Sequence, residues 1–281
     1  MKFISRVLTL AVLLLPPLAF SPAFADTLDA FKGQKGTLDI SGGTAHIPVM
    51  RSAAQSIMQF NPDIRITVTG GGSGVGVQQV GEGLVQIGNT GRALKDSEVE
   101  KYGLKTFPFA IDGVAIAVNP ANKVGALSKD QLKQIFAGEI TNWKQVGGDD
   151  ADINVYIRED GSGTRETFEE RALDGGKSTN KSNVMNSNGA MKTAIAQDQK
   201  AIGYVGIGHL DDKIKGLVLD GMVPSQENAK SGAYKVTRLL YMNTKGEPAG
   251  LTRAFIDYIY SADGTGFISA AGYIPTGAPK E

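Results

Sequence analysis

VYIREDGSGTRETFEE, residues 155–170, reads as a strand that runs into a turn of glycines and hydroxyls and leaves it as a helix. Residues 155–157 are β-branched and aromatic, the types that suit a pleated surface. Gly161 and Gly163 punctuate the turn, and residues 164–173 carry helical periodicity. Strand, glycine-rich turn and helix, in that order, form the repeating unit of a parallel α/β sheet. By itself the turn suits four uses: an ordinary loop ahead of a helix, a phosphate cradle in a nucleotide enzyme, a catalytic serine loop, or an anion clamp.

The same unit recurs upstream. Residues 37–41 (TLDIS) form a strand, Gly42-Gly43-Thr44 follows, and a helix is predicted over 47–60. Residues 65–69 (RITVT) lead into Gly70-Gly71-Gly72-Ser73-Gly74, a helix reaching about Gly83, and a short strand over 85–88. Two apolar segments, 107–119 (FPFAIDGVAIAVN) and 237–243 (TRLLYMN), are longer strands, and helices are expected near 129–137, 188–197 and 251–260. The fold class is α/β, with two parallel-type sheets joined by a two-strand hinge. The lobes are drawn as 26–115 with 236–281 (lobe I) and 116–235 (lobe II).

Composition narrows the function. Residues 1–25 combine Lys2 and Arg6 with an apolar run of nine residues (7–15) and Ala23-Phe24-Ala25, the pattern of a secretory signal peptide cleaved after Ala25. Removing it leaves 256 residues (281 minus 25) with 27 basic against 29 acidic groups. No basic run is present, which argues against nucleic acid or an anionic membrane as partner. The chain has no cysteine, so disulfides, thiolate catalysis and a lipid-modified N-terminal cysteine are excluded. A periplasmic location, without a lipid anchor, is expected.

Three turns share one chemistry: Ser41-Gly42-Gly43-Thr44, Gly72-Ser73-Gly74 and Gly161-Ser162-Gly163-Thr164. Each follows a strand and opens a helix, where unpaired N–H groups and the positive end of the helix dipole can hold an anion. Arg158 adds a full charge able to grip an oxyanion with two N–H groups, and Asp160 is placed to brace it. Arg165 reads as a surface or interface residue, and Glu166, Glu169 and Glu170 as a solvated helix face. The enzyme readings fit less well. Neither a P-loop nor GxGxxG is present, GxSxG is absent at Ser73 and Ser162, and two histidines (His46, His209) cannot build a spaced metal site. No catalytic residue, metal or cofactor is expected.

SGGTAHIPV (41–49), NPDIRITVTGGGSGVGVQQV (61–80), AIDGVAIAVNP (110–120), LKQIFAGEITNWKQVGG (132–148), REDGSGTRETFEE (158–170), SNGAMKTAIA (187–196) and AIGYVGIGHL (201–210) together resemble the substrate-binding proteins of phosphate ABC transporters. The resemblance implies a two-lobed periplasmic binding protein fold of type II that closes on inorganic phosphate and docks, as a monomer, on a membrane permease. It places phosphate ligands at Thr44 and the Ala45 amide, at Ser73, and at Arg158, Ser162, Gly163 and Thr164, with Asp160 as the brace. One departure is Gly91 in IGNTGR, where many members carry an acidic or hydroxyl residue. Asp112, a lone charge in an apolar run, is therefore expected to accept the phosphate proton, and Thr90, Arg92 and Asn188 are further candidates. Receptors for sulfate, molybdate or tungstate, and a secreted phosphatase, are the competing readings.

Overall fold

The computed structural model describes residues 27–279; the expected signal peptide lies outside the described residues. The first lobe opens with β1 (Gly36–Gly42), α1 (Ile47–Phe60), β2 (Ile64–Gly71), α2 (Gly72–Glu82), β3 (Ile87–Thr90) and α3 (Asp96–Tyr102). The long strand β4 (Leu104–Val118) carries the chain into the second lobe. That lobe contains β5 (Ala126–Leu127), α4 (Lys129–Ala137), β6 (Asn154–Arg158), α5 (Gly163–Arg171), β7 (Asn183–Met185), α6 (Asn188–Gln197), β8 (Ala201–Gly206), β9 (Lys215–Gly216), β10 (Val218–Leu219) and α7 (Gln226–Lys230). A second long strand, β11 (Thr237–Lys245), returns, followed by α8 (Gly250–Tyr260), α9 (Ala262–Ala270) and β12 (Ile274–Pro275).

The strands follow the order β2-β1-β3-β11-β4-β8-β6-β7. The expected parallel sheets are present at the two ends, where helices make the crossovers: β2, β1 and β3 are mutually parallel, as are β8, β6 and β7. The middle differs from expectation. β11 runs antiparallel to both β3 and β4, and β4 antiparallel to β8, so the whole is one mixed sheet. β4 changes partner part-way: Leu104 to Gly113 pair with β11, and Val114 to Val118 with β8. A parallel neighbour needs a long crossover, whereas these two strands simply run out and back.

Each lobe has its own core. One gathers Leu38, Ile40, Val49, Ile57, Phe109 and Phe255; the other packs Leu132, Phe136, Trp143, Phe168 and Tyr204. The helix α1 shows why the pattern works. Met50, Ala54 and Ile57, with Val49 and Ala53, are its buried stripe, and burying each larger side chain stabilises by about 1.5–3 kcal/mol. In the second lobe Phe168 stacks on Tyr204 with ring centroids 4.0 Å apart, which fixes α5 against β8.

His46 is fully buried and His209 partly so. His46 heads α1, fully buried beneath Phe109; burial, and then the charge of Arg238, lowers its pKa to about 3. His209, after β8, is lowered to about 4 by burial and by Lys192. In the unfolded chain both imidazoles protonate near 6.5. Below that pH the unfolded state therefore binds more protons than the folded one, and stability falls on acidification. Urea unfolding between pH 7 and 4 should lose stability less steeply in His209→Asn than in the wild type, by up to about 1.4 kcal/mol per pH unit. Equal slopes would mean that His209 titrates alike in both states.

Candidate functional site

The starts of α1, α2 and α5 converge on one cavity between the lobes. It is lined by Gly43, Thr44, Ala45 and His46 ahead of α1, Gly72 and Ser73 of α2, Gly91, Arg158 at the end of β6, Ser162, Gly163 and Thr164 at the start of α5, and Arg238 of β11. Its volume is about 10 Å³, the space of about one water molecule and far too little for a nucleotide or sugar. Among the described residues, no carboxylate lines it. Thr44, Ala45, Ser73, Arg158, Ser162, Gly163 and Thr164, singled out in the sequence, are all brought together here.

Local chemistry explains each placement. Ser162 caps α5, its hydroxyl accepting from the Arg165 amide at 3.4 Å, which leaves the first amides of the helix pointing at the cavity. The Ser73 hydroxyl accepts from the Gly91 amide at 3.0 Å, so its own proton can be directed inward. Gly163 packs so tightly across the cleft that any β-carbon there would collide with Ser73. Thr44 is fixed from the opposite lobe, its Oγ1 accepting from the Asn188 side-chain amide at 3.2 Å.

Arg158 is 1% exposed. Its Nε and Nη2 donate to Glu159 at 2.8 and 2.7 Å, and Nε also reaches the Met185 carbonyl at 3.1 Å. Its backbone amide donates to the Tyr204 hydroxyl. Nη1, buried, has no protein partner among the described residues. A buried donor edge of this kind calls for an acceptor, because leaving it unsatisfied carries a desolvation penalty. Helix starts, hydroxyls and a guanidinium edge together make a site for a compact oxyanion.

Several expected roles are corrected. The brace of Arg158 is Glu159, not Asp160. Asp160 sits in the exposed turn and pairs with Arg165 at 2.8 Å, its side chain 98% exposed. Arg165 is no plain surface group, since it also donates to the Arg158 carbonyl and to Glu169. Glu169 is buried between Arg165 and Lys177 rather than solvated. Asp112 does not line the cavity. It lies behind it, 1% exposed, with Oδ2 accepting from Nε and Nη2 of Arg238 at 3.0 and 2.7 Å. Burial raises its carboxyl above the usual range while Arg238 pulls it back.

The remaining candidates support the site from outside it. Thr90 is buried, donating to the Arg92 carbonyl and accepting from Asn243. Arg92 pairs with Glu98 at 2.7 Å and, across the cleft, with Glu166 at 2.9 Å. Asn188 holds Thr44 on one side and accepts from the Gly206 amide on the other. Arg238 lines the cavity although no motif in the sequence includes it, and His46, which stands within SGGTAHIPV, lines it without having been given a role there. For Arg238 the available signal is the pairing of 112 with 238 across the two long strands, since a lone Asp and a lone Arg in facing apolar runs call for each other.

A family model described as a PBP superfamily domain matches residues 30–263. The phosphate-binding protein PstS of Bacillus subtilis (strain 168) is 42% identical over 253 residues, covering 88% of this chain and 84% of its own. A Clostridium perfringens substrate-binding protein solved with bound phosphate superposes with a TM-score of 0.82 at 35% identity, over 86% of this chain and 100% of that one. An ABC-type phosphate transport receptor of Vibrio cholerae does so with a TM-score of 0.69 at 35% identity, over 84% and 99%. The chain thus belongs to the PBP superfamily and, within it, to the PstS family of phosphate-binding proteins.

Proposed function

We propose that this protein is a receptor that takes up inorganic phosphate between its two lobes and hands it to the permease of an ABC transporter. The observation that carries the reading is Arg158 Nη1, buried and without a protein partner beside the starts of three helices. Relatives named for phosphate binding, one of them solved with the anion, support the ligand, and the family is one of transport receptors rather than enzymes. Exported delivery to the periplasm after removal of residues 1–25, action as a monomer, and lobes spanning 26–115 with 236–281 and 116–235 belong to the same proposal. No helix of the described residues is long and apolar enough to cross a membrane.

Binding would draw on what the site offers. Backbone amides at helix starts and Ser or Thr hydroxyls supply neutral donors, and the guanidinium of Arg158 supplies charge. In a cavity cut off from water these contacts act at full strength. Phosphate can reach them only if the lobes part, because the Gly74 amide donates to the Gly161 carbonyl across the cleft at 3.0 Å. Such an opening is the hinge motion by which periplasmic binding proteins in general admit and enclose their ligands.

Calorimetric titration of the anion-stripped protein against phosphate, sulfate and molybdate should give one saturable site for phosphate; heat with sulfate alone would overturn the reading. Arg158→Met should weaken phosphate binding by at least about 100-fold, the loss expected for a desolvated charge-assisted pair. Unchanged affinity would place the anion elsewhere. Glu166→Gln removes one contact across the cleft and should weaken binding by up to about fivefold, at most roughly 1 kcal/mol for a partly exposed ion pair. In stopped-flow measurements that loss should appear as faster release, and a slower association with unchanged release would contradict it.

A further inference from the structure

The site holds a second arginine. Arg238 lies opposite Asp112 in the antiparallel pairing of β11 with β4. Its side chain is 4% exposed, and Asp112 engages Nε and Nη2. The remaining edge, Nη1, runs alongside Gly91 at the cavity wall: a β-carbon at residue 91 would meet it at 2.7 Å. Glycine at 91 is therefore the residue that makes room for this guanidinium. The absence of a carboxylate at 91 and the presence of a cation beside it are two sides of one arrangement.

Resting on the phosphate reading above, we propose that Arg238 is a second cationic ligand of the anion, oriented by Asp112 and admitted by Gly91, and that the pair of arginines selects the doubly charged form of phosphate. Each guanidinium is backed by a carboxylate outside the cavity, Glu159 behind Arg158 and Asp112 behind Arg238. The edges turned inward are positive, and no carboxylate among the described lining residues opposes a second negative charge. Attraction to two fixed cations grows with the charge of the ligand. The one proton left on the dianion can be accepted by a serine or threonine hydroxyl, which both gives and takes hydrogen bonds.

Neither histidine near Arg238 titrates in the range that changes the ligand. Asp112 on β4 is its ion-pair partner, with a carboxyl raised by burial and pulled back by Arg238, Arg158 on β6 is the second cation at the cavity, and His46 and His209 stay neutral, held near 3 and 4. Burial raises Tyr273, ahead of β12, further from neutrality. Neither histidine therefore accounts for a change of affinity between pH 6 and 8.

The test is calorimetric titration of phosphate at pH 6 and pH 8, with circular dichroism and thermal melts as fold controls. The variants are Asp112→Asn/Arg238→Met, which removes both charges together so that neither is left buried alone, and Gly91→Ala. The wild type should bind the dianion at least tenfold more tightly than the monoanion. The double variant should bind at least 30-fold more weakly at pH 8 and lose most of the pH dependence. Gly91→Ala, which leaves the ion pair in place but crowds Nη1, should weaken binding about tenfold. A folded double variant with wild-type affinity and pH profile would overturn the proposal, and so would wild-type affinity in Gly91→Ala, which decides the matter if the double variant does not fold. A wild type that binds phosphate while either variant behaves like it refutes Arg238 alone. A wild type that binds no phosphate refutes the receptor reading and this inference with it.

Discussion

A guanidinium exposed to only 1% of its surface, with one edge turned into a cavity of about 10 Å³, dictates what its neighbours can be. A cation in that position is tolerated only when every N–H has a partner. Glu159 and the Met185 carbonyl take Nε and Nη2 of Arg158, and Nη1 is the group that the proposed function leaves for the ligand. The Tyr204 hydroxyl then pins the Arg158 backbone, and the stacking of Phe168 on Tyr204 ties that pin to α5. The charge, the strand that carries it and the helix whose amides share its ligand are thus held by one chain of contacts.

Much of this is legible in the residues alone. The strand-turn-helix units are local, so glycines and hydroxyls at 41–44, 72–74 and 161–164 locate the helix starts within a few residues, and α1 and α6 fall at 47–60 and 188–197 as their periodicity indicates. What is not legible depends on pairing across long separations or on the direction of a side chain. The bond from Arg238 to Asp112 joins residues 126 apart. The choice of Glu159 over Asp160 as the brace turns on where β6 ends: Arg158 is the last residue of the strand, Glu159 folds back over it, and Asp160 already lies in the turn facing solvent. Neighbouring acids in sequence are indistinguishable until the turn assigns them opposite directions.

The antiparallel centre of the sheet escapes a sequence reading for a related reason. Alternation of helix and strand points to parallel pairing, and it holds at both ends of the sheet. The two long strands have no crossover helix to dictate their sense. They pair by length and apolar match, and β4 divides its fifteen residues between β11 and β8. Asp112 sits just before that change of partner, so the ion pair with Arg238 occupies the connection between lobes as well as the wall of the site.

That position has an energetic meaning. The contacts that hold the lobes together around the cavity are individually modest: the Gly74 amide on Gly161, Asn188 on Thr44, and Arg92 on Glu166. Neutral hydrogen bonds contribute about 1 kcal/mol each and a partly exposed ion pair less, so these three links alone add little to an equilibrium between open and closed lobes. The ligand needs to contribute only a few kcal/mol of differential binding to shift it. An anion that touches residues from both lobes at once, Thr44 and Ser73 on one side and Arg158, Ser162 and Thr164 on the other, gains those contacts only in the closed state. On the proposed function, binding and closure would be a single event, with the long strands that pair Asp112 with Arg238 as the connection between the lobes.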